Sequence, residues 1–74
     1  MYIFRSKTGT FTIGPDPMNS DLFELCIGGM WLASYETTEK AAEAVCLRCT
    51  GWYDWDRRDG EEAPSCLSEW ETLE

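Results

Sequence analysis

The chain has 74 residues, a formal net charge of −8 and no histidine. That is one domain near the lower size limit for a self-sufficient core. The acidity argues against direct contact with nucleic acid or an anionic membrane, both of which attract Lys/Arg clusters. The missing histidine removes the commonest general base and every Ser-His or Cys-His pair.

Residues 2–5 and 10–13 read as a first hairpin around Ser6-Lys7-Thr8-Gly9. Pairing Arg5 with Thr10 sets Phe4 against Phe11 and Tyr2 against Ile13. Residues 14–21 read as a linker, because Pro15 and Pro17 donate no ladder hydrogen bond. A second hairpin follows, strands 22–27 and 30–35 joined by Gly28-Gly29, whose freedom at positive φ suits a tight loop. A regular register puts Ile27 opposite Met30, Leu25 opposite Leu32 and Phe23 opposite Ser34. Phe23, Leu25, Ile27, Met30 and Leu32 then share the core face, and Leu22, Glu24, Cys26, Trp31, Ala33 and Tyr35 the other.

A helix is expected over residues 38–50, with Thr37 as N-cap, Glu39 at the positive end of the dipole and Gly51 as the stop. Ala41, Ala42, Val45, Cys46 and Cys49 recur on its apolar side. Residues 52–56 read as a short extended piece, residues 57–63 as a loop. Pro64-Ser65 would open a short helix over about 65–72 carrying Leu67, Trp70 and Leu73. The expected fold is α+β: a four-stranded antiparallel meander, one helix on its apolar face, and an acidic C-terminal segment over 54–74. The C-terminal segment carries eight acids and two bases, against six and four in residues 1–53.

Tyr35-x-Thr37-x-Glu39-x-Ala41-Ala42-x-x-Val45, then Thr50-Gly51, Trp55-Asp56 and Pro64-x-x-Leu67-x-x-Trp70, resembles small uncharacterised bacterial proteins. The resemblance covers about the last half of the chain. It implies a β-meander leading into one helix and a short C-terminal segment, and it carries no activity.

Four cysteines form the one group with ligand-like spacing: Cys46-x-x-Cys49, with Cys26 and Cys66. Four thiolates suit tetrahedral zinc, but such sites are usually built from two close pairs, and burial as small apolar residues explains the set as well. Cys46, near a helix C-terminus, lacks the dipole that activates a thioredoxin-like thiol. Asp54, Asp56 and Asp59 lack the spacing and closing Glu of a calcium loop. Gly28-Gly29 joins two strands, not a strand to a helix, so it is no phosphate cradle.

No cofactor is called for. No apolar run approaches the ~20 residues of a membrane span, and the N-terminus lacks a signal-peptide pattern, so a cytoplasmic protein with reduced cysteines is expected. What remains is a non-enzymatic interaction or regulatory module. Trp31, Tyr35, Trp55 and Trp70, framed by Asp54 and Asp56, are the candidate surface, and a basic protein the candidate partner. Two plainer accounts stand beside it: the acids keep a small domain soluble, and the C-terminal segment wraps over the Trp31/Tyr35 face and buries the rings. A homodimer through that face is the other way to cover it. A four-cysteine zinc protein is the alternative function.

Overall fold

In the computed structural model, which describes residues 1–7, 9–57, 63–64 and 66–72, the first four strands form a meander. They are β1 (Tyr2–Ser6), β2 (Gly9–Asp16), β3 (Asn19–Ile27) and β4 (Met30–Tyr35). A two-residue strand, β5 (Glu71–Thr72), adds to the free side of β1, giving the order β4-β3-β2-β1-β5, all antiparallel. With α1 (Thr38–Cys46) packed on β2, β3 and β4, the fold is α+β.

The first hairpin has the expected register, with Arg5 paired to Thr10, Phe4 to Phe11 and Tyr2 to Ile13. The expected linker is corrected. β2 runs on to Asp16, turns at Pro17-Met18, and β3 starts at Asn19. Proline is tolerated there because β1 reaches only to the Tyr2–Ile13 pair. Beyond it β2 has a single neighbour, and Pro15 has no ladder bond to donate on the vacant side. The turn is closed by side chains: Asp16 Oδ1 accepts from the Met18 amide at 2.8 Å, and Asn19 Oδ1 from the Asp21 amide at 2.9 Å.

The second hairpin keeps its Gly28-Gly29 loop, with φ of 56° and 85°, and its Ile27–Met30 pair. Its further register is corrected by a β-bulge. Cys26 pairs with Trp31 but Leu25 with Ala33, so Leu32 is the extra residue, and Phe23 meets Tyr35. From Ala33 onward the parity of β4 is therefore reversed. Tyr35 joins the core side, Ser34 the opposite side, and Met30 lies at the exposed hairpin tip.

The core lies between the sheet and α1. Phe11, Ile13, Leu25 and Ile27 meet Ala41, Ala42 and Val45, with Phe4, Phe23, Leu32 and Tyr35 at the margin. Each large side chain buried there contributes about 1.5–3 kcal/mol. Alanines at 41 and 42 let the helix backbone come close to the sheet.

Thr37 caps α1 as expected, accepting the Lys40 amide at 3.0 Å. The helix ends at Cys46, four residues short of the expected end at residue 50, and the residue that ends it is Arg48 at φ 57°, not Gly51. The Cys49 amide bonds Ala44 O at 3.0 Å and the Arg48 amide bonds Val45 O at 3.2 Å, the paired bonds of a Schellman cap. Cys49 thus falls outside the helix.

Residues expected to be extended form a helical turn, α2 (Tyr53–Asp56). The expected C-terminal helix reduces to a 3-10 turn at Leu67–Glu69, followed by β5; Ser65 and Leu73 lie outside the described residues. Arg5 on β1 pairs with Glu71 on β5.

Candidate functional site

The sequence-predicted surface residues do not form one surface. Trp55 is fully buried: its ring packs edge-on against Phe4 and Phe11, and its indole N–H donates to Val45 O at 2.9 Å. Arg48 lies over the same ring, 4.3 Å from its centre, and bonds the Trp55 carbonyl at 3.0 Å. Trp70 is also core, 5% exposed and against Phe4. Both are corrected from surface anchors to core. Asp56 is a structural cap: its carboxylate accepts from the Thr50 and Gly51 amides at 3.0 and 2.9 Å and from the Thr50 hydroxyl at 2.8 Å. Asp54 is exposed on α2.

Tyr35 and Trp31 lie on opposite faces of β4 as a consequence of the bulge. Tyr35 is half-buried on the helix side, where burial first, then the nearby Cys49 and Asp56, pushes its hydroxyl above the usual 10.0. Trp31 is 58% exposed on the face away from α1. The C-terminal aromatics pack on the α1 side, so the expectation that they wrap over the Trp31 face is corrected as well. Among the described residues, no helix packs on that second face.

The cysteines are dispersed. Cys26 is buried on β3 facing away from α1, Cys46 is half-buried on α1, and Cys49 and Cys66 are exposed; all four are free. Burial, then Glu24, pushes the Cys26 thiol above its ordinary 9.0. Among the described residues no three Cys, Asp or Glu side chains come together as a metal would need, so nothing in the geometry favours the zinc alternative. Asp59 lies outside the described residues.

The open face does hold a groove of about 400 Å³ beside Trp31, walled by Asp16, Pro17 and Met18 and lined by Glu24 and Ser34. Its parts are tied together. The Trp31 indole N–H donates to Ser34 Oγ at 3.2 Å, and Ser34 donates to Asp16 Oδ2 at 2.7 Å. These hydrogen bonds, that of Ser34 first and that of Met18 next, hold the Asp16 carboxyl below its ordinary 3.8. Among the described residues, neither Lys nor Arg lines the groove. Sequence reasoning places Glu24 on the Trp31 face but misses Asp16 and Met18, which fall in the expected linker, and Ser34, which only the bulge brings to that face. The signal was there, as Asp and Asn flanking a Pro-led pair are turn-closing residues.

No helix of the described residues is long and apolar enough to cross a membrane. Comparison with protein-family models, curated proteins and solved structures gives no match to any of the three.

Proposed function

We propose that this protein is a non-enzymatic interaction module for a basic protein, engaged through the open sheet face with Trp31 as anchor. The observation that carries this reading is Trp31 itself. Trp55 and Trp70 are buried and Trp52 packs against the core, whereas Trp31 stays 58% exposed beside Met18, 92% exposed. An exposed indole and thioether framed by carboxylates is the composition of an interface anchor. Four of the chain's six bases are engaged close to home: Arg5 with Glu71, Lys40 with Glu36, Arg48 over Trp55 and Arg57 over Tyr53. Asp16 and Glu24 line their groove with no base beside them among the described residues. A second copy is a poorer occupant, since two chains of −8 would bring like charges together. Free cysteines accord with a cytoplasmic setting.

The test is binding of a labelled Arg/Lys-rich peptide as ionic strength rises from about 0.01 to 0.15 M, over which screening shortens from about 30 to 8 Å. Affinity should fall at least several-fold, and a Glu-rich counterpart should not bind. Salt-independent binding, or a concentration-dependent dimer that blocks the peptide, would count against a basic partner.

A further inference from the structure

We infer that the groove beside Trp31 receives the guanidinium of an arginine side chain from the partner, stacked on the indole and paired with Asp16 and Glu24. This rests on the proposed interaction role and names the group that the role would recognise. The groove combines three things an arginine head requires. The first is a fixed aromatic surface: Trp31 lies on an edge strand, yet its N–H is tied to Ser34 Oγ at 3.2 Å, so the ring is oriented before any partner arrives.

The second is a pair of carboxylates. Asp16 accepts from Ser34 and Met18 at 2.7 and 2.8 Å and from the Asn19 backbone, and a carboxylate's roughly four acceptor positions leave room beside these for an incoming donor. Glu24 lines the same cavity. The third is size: about 400 Å³ is at the small end for ligand pockets, suited to one long side chain rather than a folded element. Arginine fits better than lysine. Its planar head stacks on an indole while its edge donates in a fork to a carboxylate, which a tetrahedral ammonium does not do at once. An uncharged apolar side chain would leave both carboxylates desolvated without partners.

The experiment uses a pentapeptide with one central arginine, the same peptide with neutral citrulline, and the same with lysine. Binding is followed by NMR at the Trp31 indole N–H signal, together with the fluorescence anisotropy of labelled peptide. The arginine peptide should shift the Trp31 signal. Citrulline should bind about tenfold more weakly, and lysine should lie between. Asp16→Asn and Glu24→Gln should each weaken the arginine peptide by roughly fivefold or more, and Trp31→Ala should abolish binding. Asp54→Asn, at an exposed position on α2 that does not line the groove, should leave it unchanged. Amide spectra of each variant verify that the sheet is intact.

Equal affinity for arginine and citrulline would overturn the assignment. So would binding of basic peptides that is insensitive to Asp16→Asn and Glu24→Gln; the interaction role would then survive and the groove would not. Failure of every basic peptide, Arg/Lys-rich ones included, would remove the role and the groove together.

Discussion

Replacing Trp55 by phenylalanine tests the division of the tryptophans between core and surface on which the functional reading depends. The indole N–H bond to Val45 O, at 2.9 Å and fully buried, would be lost, at about 1 kcal/mol. Roughly 40 Å² of ring surface that phenylalanine does not replace adds about 1 kcal/mol at ~25 cal/mol per Å². Weaker stacking under Arg48, now 4.3 Å from the ring centre, adds about 0.5 kcal/mol. The expected loss is therefore about 2–3 kcal/mol, against a total stability of about 4–11 kcal/mol for a chain of this length at typical per-residue values. Urea unfolding followed by far-UV circular dichroism measures it, with Trp31→Phe as the comparison. Trp31 is exposed, and its bond to Ser34 joins two surface groups, so its replacement should stay within about 0.5 kcal/mol of the parent. A Trp55→Phe cost below about 0.5 kcal/mol, or an equal cost at Trp31, would refute the reasoning.

Other outcomes follow from the same geometry. Arg48→Ala should cost about 1–2 kcal/mol, since it loses the Trp55 contacts and keeps the left-handed backbone, while Arg48→Gly should cost roughly 1 kcal/mol less, as read by urea midpoints. Ser34→Ala should raise the Asp16 titration, followed by carboxyl NMR, toward 3.8. Because the folded value is depressed, the stabilisation it reflects is present above 3.8 and is lost as pH falls through the folded value. At the alkaline end, Cys26 and Tyr35 have folded values raised above 9.0 and 10.0. Their contribution is intact below about pH 9, and melting temperatures should fall as pH climbs from there through the raised values. With a thiol reagent near neutral pH, the exposed Cys49 and Cys66 should react first and Cys26 only on unfolding, as mass spectrometry of the labelled chain would resolve.

The parts of the fold that alternation and capping dictate were legible in the sequence. Phe4 against Phe11 follows from a short loop between apolar runs, and Thr37 as N-cap follows from a hydroxyl placed just ahead of an alanine-rich stretch. What escaped depends on contacts across the fold. Pro15 can lie in a strand only because β1 stops short, a fact of neighbouring strands that proline's own chemistry does not reveal. Arg48 takes the position a glycine would favour because Trp55, seven residues on, offers its ring and its carbonyl in return. Trp55 and Trp70 lie beside acids in the sequence and so resemble a surface pair. Tertiary packing turns both toward Phe4, leaves Asp54 exposed and uses Asp56 to cap Thr50 and Gly51. For the candidate site, Trp31 and Glu24 are legible as sharing the face off the core, while Asp16 and Met18 fall in the expected linker and Ser34 reaches that face only through the bulge.

The bulge at Leu32 connects the fold to the groove. Side chains three apart on a regular strand point to opposite faces, so Trp31 and Ser34 would be separated by the sheet. The extra residue places both on the open face, and only then can the indole N–H reach the Ser34 hydroxyl and, through it, Asp16. The same irregularity turns Tyr35 toward α1 while Leu32 keeps its place against the core, so the core gains apolar cover from the bulge that puts Ser34 beside Trp31. It also interrupts the ladder of an edge strand that carries no charge of its own, Met-Trp-Leu-Ala-Ser-Tyr, and a bulged edge pairs poorly with a second copy. A strand that must both close a core and present a tryptophan cannot do so by strict alternation, and the single inserted residue resolves that conflict.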